Sequence, residues 1–158
     1  MVLLWQHSEE GAIGFVINRA LEVALPEVLA TTDGLDLSDY AHTAVAWGGP
    51  VESMSATVLT THEVSDDDGW EVIPGLYLTR SQEALDSLIR AGAPIFLTLG
   101  YAGWGEGQLD QEIEQGSWLF TDLDPAYLFE FPVEERYDRA LATLGLQGTA
   151  FWLPPVEA

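Results

Sequence analysis

The segment LGYAGWGEGQL, residues 99–109, combines glycine and aromatic residues at a spacing that could build a ligand site. Glycine costs roughly 0.5–1 kcal/mol inside a regular helix or strand, so the segment predicts a loop over residues 100–107. Its glycines are Gly100, Gly103, Gly105 and Gly107. A glycine-rich loop between a strand and a helix can present free backbone amides to a phosphate group.

Two details of this segment argue against phosphate binding. The chain contains no lysine, which a Walker loop needs, and Gln108 stands where the dinucleotide fingerprint would continue with glycine. Glu106 would also repel an anion. Two interpretations remain open: Tyr101 and Trp104 anchor a tight loop in the core, or they line a groove for a ligand or a protein partner.

Asn18 and Arg19 form a second candidate element at the predicted end of a strand. A guanidinium group matches the geometry of a carboxylate, so Arg19 could bind an acidic ligand. An internal salt bridge is favoured instead, because the chain offers 26 carboxylates as acceptors. The binding interpretation places Arg19 beside the glycine segment, in one pocket with Tyr101 and Trp104.

The candidate binding residues are therefore drawn from these two segments. They are Asn18, Arg19, Gly100, Tyr101, Gly103, Trp104, Gly105 and Gln108.

Motifs for catalysis or metal binding are missing from the sequence. His7, His42 and His62 do not form an HxH or HExxH pattern, there is no GxSxG elbow, and there is no cysteine. The consecutive acids in residues 65–69 lack the alternation of a calcium loop. We predict no catalytic residue, metal or cofactor, and favour a binding or regulatory protein. The alternative is a metal-dependent hydrolase, which would need carboxylates converging in one concave site.

The charge of the chain is strongly negative, with 26 acidic residues against five arginines and a formal net charge of −21 over 158 residues. Direct nucleic-acid binding is not expected, because it requires a clustered basic face. The acidity indicates either a solvated surface or adaptation to high salt. Met1–Trp5 lacks the positive region of a signal peptide and no apolar run is long enough to span a membrane, so we predict a cytoplasmic protein.

The elements that would position these residues alternate between strands and helices, which predicts one α+β (α/β-like) domain over 1–158 with a mixed sheet. Helices are predicted over 25–30, after Ser81 up to Gly92, around Leu109 and Ile113, after Asp124, and over the apolar stripe from Val133 to Leu144. Strands are predicted over 2–6, 12–17, 43–47, 56–61, 76–78, 95–99 and 118–120.

Several segments, in order, resemble the AlgH/YqgE family of bacterial proteins over nearly the whole chain. They are HSEEGAIGFVINR (7–19), WGGPV (47–51), YLTRS (77–81), LGYAGWGEGQLDQEI (99–113) and FPVEERYDRALATLGL (131–146). The resemblance implies a small cytosolic protein with a mixed, partly closed sheet packed with helices. The family is often labelled a transcriptional regulator, without agreed catalytic residues. A regulatory role would therefore act through an unidentified protein or small-molecule partner.

The chain departs from the family pattern at two places. Ala20 stands where proline usually follows the Asn–Arg pair, and the family's usual N-terminal segment does not precede Met1. Without that segment, residues 2–6 would form an exposed apolar edge strand, which predicts self-association.

Overall fold

Strands and helices alternate in the computed structural model, which describes residues 1–29 and 34–146. The strands are β1 (Val2–Ser8), β2 (Gly11–Val16), β3 (Ala20–Ala24), β4 (Ala44–Trp47), β5 (Val51–Thr60), β6 (Gly69–Ile73), β7 (Leu76–Thr79) and β8 (Phe96–Trp104). The α-helices are α1 (Leu25–Val28), α2 (Gln82–Arg90), α3 (Gln108–Glu114), α4 (Tyr127–Glu130) and α5 (Arg136–Thr143). Short 3-10 turns lie at Ser38–Tyr40 and Val133–Glu135.

Strand β8 is the centre of one eight-stranded mixed sheet, in which the main path runs β1-β2-β8-β5-β7-β6. One edge of β8 pairs with β5. The other edge is shared, because β4 runs parallel to residues 97–99 and β2 runs antiparallel to residues 102–104. The sheet therefore forks at β8 near Gly100.

Side chains alternate across β8 and divide the core in two. Leu97 joins the cluster under α1 and α2, whereas Phe96 joins the cluster enclosed by the curved sheet and covered by α4. The first cluster includes Leu25, Val45, Val58, Leu85, Leu88 and Ile89. The second, which we call the interior cluster, includes Leu3, Phe15, Ile17, Leu59, Leu76, Leu78, Leu128 and Val133.

The predicted start and stop signals of α2 are confirmed. The Ser81 hydroxyl accepts a hydrogen bond from the backbone amide of Ala84 at 3.2 Å, which satisfies one of the free amides of the first turn. Gly92 follows the helix with φ of +64°. The helix buries its apolar face against the first cluster, as the spacing of Leu85, Leu88 and Ile89 predicts.

Several sequence predictions are wrong at the level of individual elements. Residues 100–104 continue strand β8 instead of forming a loop, and residues 118–120 are irregular instead of a strand. Strands β3 and β6 were not predicted. The stripe from Val133 begins as a 3-10 turn and becomes helical only at Arg136. Helix α1 ends at Val28, so it is shorter than the predicted helix over 25–30. Position 30 lies outside the described residues.

Arg136 is a buried cation that holds the C-terminal helices onto the sheet. It is only 3% exposed. Its guanidinium donates to the backbone oxygens of Ile17 at 2.7 Å and Leu128 at 2.6 Å, and lies 4.4 Å above the centroid of the Phe96 ring. Burial lowers the pKa of Arg136 to about 10, so it stays charged at neutral pH.

Together these features define a single-domain α+β protein, and the predicted fold class is confirmed. None of the described helices has the length and apolar character needed to cross a bilayer.

Candidate binding site

Arg19 lies between β2 and β3, where its side chain stacks on Trp47. The guanidinium carbon is 4.5 Å from the centroid of the Trp47 ring, and the Trp47 amide donates to the Arg19 carbonyl at 2.9 Å. Arg19 is exposed and Trp47 is half-buried. No carboxylate in residues 1–29 or 34–146 lies within ion-pair distance of Arg19. The favoured expectation of an internal salt bridge is therefore wrong for the described part of the chain.

Asn18 has a different role from its neighbour. Its Oδ1 accepts a hydrogen bond from the amino group of Met1 at 2.7 Å, and the adjacent Ile17 amide donates to the Met1 carbonyl at 3.1 Å. Asn18 thus fixes the beginning of β1 beside the end of β2. Its amide oxygen faces this contact instead of the Trp47 ring.

The fork in the sheet is built by a close crossing of glycine backbones. A Cβ on Gly100 would lie 2.4 Å from the Gly49 carbonyl oxygen, and one on Gly48 would lie 2.2 Å from the Gly100 carbonyl oxygen. Gly100 also has φ of +73°, a conformation that favours glycine. This crossing holds Trp47, the residue before Gly48, directly at the fork, and so positions the surface on which Arg19 stacks.

Tyr101 and Trp104 do not share a pocket. Residues three apart on a strand point to opposite faces of the sheet, so the predicted groove between the two rings is wrong. Tyr101 packs against the interior cluster, close to Gly103, in the manner of the core-anchoring interpretation. Trp104 is half-buried on the other face.

Trp104 belongs to a hydrogen-bonded group centred on Glu112 of α3, which we call the Glu112 cluster. The Glu112 carboxylate accepts from the indole nitrogens of Trp104 at 3.0 Å and Trp118 at 2.8 Å, and from the Gln108 amide at 3.0 Å. The two indoles meet edge-on with centroids 5.9 Å apart. These hydrogen bonds, chiefly that from Trp118, lower the pKa of Glu112 below its ordinary value.

The remaining predicted residues lie beside this cluster. Gln108 accepts a hydrogen bond from the Gly105 amide at 3.0 Å through its Oε1, which closes the turn between β8 and α3. Nearby on α3, Asp110 pairs with His7 of β1 at 3.0 Å. The predicted site is thus split between the Arg19–Trp47 pair, the glycine crossing and the Glu112 cluster.

Trp47 and Glu112 are functional candidates that the sequence reasoning missed. Trp47 precedes the glycine pair of WGGPV, but a cation–π pair between distant segments leaves no spacing signal. Glu112 lies four residues after Gln108, and that helical spacing could have indicated their hydrogen bond.

Convergent acidic groups, which the hydrolase alternative requires, are not found in the described residues. No three histidine, aspartate or glutamate side chains there are grouped closely enough to hold a metal ion. An open depression of about 230 Å³ beside α2 is lined mainly by His62, Glu63, Ser65, Asp68, Ser87 and Leu88. It lies away from the predicted site residues.

The fold and site define a small α+β protein with a forked, nearly closed sheet and an exposed arginine that lies over a half-buried tryptophan at the fork. Comparison with known proteins agrees. A family model described as AlgH-like matches residues 1–149. The chain belongs to this AlgH-like family.

Relatives of the chain include proteins named UPF0301 from several bacteria. One from Paraburkholderia phytofirmans is 39% identical, over 92% of this chain and 79% of the relative. Another from an Acidovorax species is also 39% identical, over all of this chain and 84% of the relative.

Solved structures show the same fold. The solution structure of the AlgH protein from Pseudomonas aeruginosa has a TM-score of 0.76 and 37% identity, covering 91% of this chain and 78% of that one. A crystal structure of a Corynebacterium diphtheriae protein has a TM-score of 0.67, with 88% of this chain and 75% of that chain covered. At 22% identity it supports the fold alone.

Proposed function

We propose that this chain is a non-catalytic binding protein that captures a carboxylate of a partner at the Arg19–Trp47 pair. One observation supports the proposal most directly. Arg19 is exposed and stacked 4.5 Å over Trp47, without a carboxylate partner in the described residues, although the chain has 26 acidic residues.

The stacking geometry leaves Arg19 ready for a planar acceptor. The guanidinium carbon lies over the indole ring, and the guanidinium N–H groups donate no hydrogen bond to the described residues, so they remain for a bidentate partner such as a carboxylate. The Trp47 ring limits the rotamers of Arg19, so less side-chain entropy is lost when a ligand binds. The glycine crossing keeps Trp47 in place at the fork of the sheet.

The charge of the whole chain restricts the kind of partner. A formal net charge of −21 repels polyanions at long range, so the ligand should carry an isolated carboxylate instead of a run of acids or a nucleic-acid backbone. A chain terminus of a protein or a small carboxylic acid has this chemistry. A regulatory role would then act through that partner, in the cytoplasm.

The proposal can be tested by NMR titration of the full chain. The probes are a short capped peptide with a free C-terminal carboxylate, the same peptide as its amide, and inorganic phosphate. We expect the free acid to shift the Arg19 Nε–H and Trp47 indole signals, and the amide and phosphate to leave them nearly unchanged.

Matched variants make the titration specific. Arg19→Ala should abolish the response and Arg19→Lys should weaken it, because lysine cannot stack or bind in a bidentate way. Arg90→Ala is the control, since Arg90 is an exposed arginine at the end of α2. Equal responses to the acid and amide peptides, or an unchanged response in a folded Arg19→Ala protein, would refute the proposal.

A further inference from the structure

The segment that follows α3, residues 117–124, has no regular secondary structure but is anchored at both ends. At its beginning, the Trp118 indole donates to Glu112 at 2.8 Å. At its end, Leu123 packs against the interior cluster, and Asp124 accepts a hydrogen bond from the Ala126 amide at 2.9 Å before α4. The course of the segment between these anchors is therefore fixed by contacts on either side.

Two large apolar side chains project from this anchored segment. Leu119 is 65% exposed and Phe120 is 58% exposed, and they are adjacent in the chain. The other exposed large apolar residues of the described chain, such as Met54 and Trp70, have no exposed large apolar residue next to them in the sequence. Single exposed apolar side chains are normal on any protein, whereas an adjacent pair gives a partner a larger apolar surface to cover.

The charge around this pair indicates what kind of partner can cover it. No basic residue occurs between Arg90 and Arg136, whereas Glu114, Asp122 and Asp124 stand on either side of the pair in the sequence. These three acidic residues are exposed. A second copy of this chain would bring a further −21 of formal charge, so self-contact here is opposed by repulsion.

We propose that Leu119 and Phe120 form a docking surface for an amphipathic segment of another protein, with apolar residues flanked by lysine or arginine. The apolar residues of the partner cover the Leu119 and Phe120 side chains, and its basic residues face the neighbouring carboxylates. This docking surface uses different residues from the carboxylate site and requires a partner of opposite charge.

A footprinting experiment on the full chain tests this proposal. The probe is a short amphipathic helical peptide of leucine and lysine, and its counterpart has glutamate in place of lysine. Hydrogen–deuterium exchange should show protection over residues 117–123 with the basic peptide and none with the acidic one. Protection confined to other segments would overturn the proposal.

A double variant separates apolar docking from general attraction to an acidic protein. Leu119→Ser with Phe120→Ser leaves the charge unchanged and should weaken peptide binding by about tenfold or more, measured by fluorescence anisotropy. Met54→Ser, at an exposed methionine elsewhere, should bind like the unmodified chain. Equal binding by the double variant contradicts the proposal. So does a dimer of the unmodified chain that the double variant dissolves, because the occupant would then be a second copy.

Discussion

Trp5 of β1 and Trp70 of β6 contact each other across the opening between the two end strands of the sheet. Their ring centroids are 5.5 Å apart and their planes are tilted by 57°. Trp5 also stacks on Phe15 at 6.0 Å, so the pair continues into the interior cluster. β1 and β6 are the first and last strands of the main path and are not paired with each other in the described chain. An aromatic contact instead of a hydrogen-bonded ladder therefore brings the sheet close to a barrel.

Replacing Trp70 should weaken this closure. Trp70→Ser removes the aromatic contact with Trp5 and the apolar surface that this contact buries. We therefore expect the free energy of unfolding to fall by about 1–2 kcal/mol in urea titrations. An unchanged denaturation midpoint would contradict the closing role of the pair.

The glycine segment offers a matched pair of substitutions. Gly100→Ala would place a Cβ 2.4 Å from the Gly49 carbonyl oxygen at φ of +73°, whereas Gly103→Ala meets its nearest neighbour at 3.7 Å. We expect the first to destabilise the protein by about 3 kcal/mol or more, and the second by less than about 1 kcal/mol. Thermal unfolding of both variants checks this, and comparable losses would refute the crossing as the reason for Gly100.

The structure of the glycine segment could not be predicted from its local sequence. Glycine propensity predicts a loop over 100–107, but β8 continues to Trp104 because Tyr101 pairs with β5 and residues 102–104 pair with β2. Tertiary pairing overrides the local cost of glycine there. Glycine is required at position 100 because the Gly49 backbone lies where a Cβ would be. Gly49 is distant in sequence, so this requirement leaves no local pattern.

Local signals were reliable where the cause is local. The Ser81 cap, the apolar face of α2 and the strands predicted over 2–6 and 12–17 follow from residues close together in the chain. The pairing of Arg19 with Trp47 could not be predicted in that way, because it depends on how β3 pairs with β4. Some residues of the candidate site could thus be predicted from the sequence, but their arrangement in space could not.

Arg136 should be essential for stability, although it belongs to neither of the proposed sites. Arg136→Met removes the donors of the Ile17 and Leu128 carbonyls, so we expect a loss of about 3 kcal/mol in the free energy of unfolding. Arg139→Met on the same helix is the control, because Arg139 forms an exposed pair with Glu135 at 2.7 Å that should contribute less than about 1 kcal/mol. Similar denaturation curves for both variants would contradict a buried structural role.

The Glu112 cluster should open in acid. The pKa of Glu112 is below its ordinary value of 4.5 in the folded chain, so its stabilising contribution is present above that value and is lost as the pH falls through the folded pKa. We expect the fluorescence of Trp104 and Trp118 to stay constant above pH 4.5 and to change as the pH falls below that value. Glu112→Gln should remove this transition and Glu114→Gln should keep it. Identical acid titrations of both variants would show that another carboxyl group controls the indoles.

Salt should stabilise this chain instead of weakening it. In the described residues, ion pairs join Arg80 to Glu52 and Arg139 to Glu135, and the His7 imidazole pairs with the Asp110 carboxylate. All three pairs are partly exposed, so the stability lost when salt screens them is small. Repulsion within a chain of 26 acidic and five basic residues is screened at the same time, since the Debye length falls to about 3 Å at 1 M salt. We therefore expect the melting temperature to rise between 0.1 M and about 2 M KCl, with a neutral osmolyte at equal osmolality as the control. A melting temperature that stays flat over this range would show that the carboxylates are far enough apart to be solvated independently.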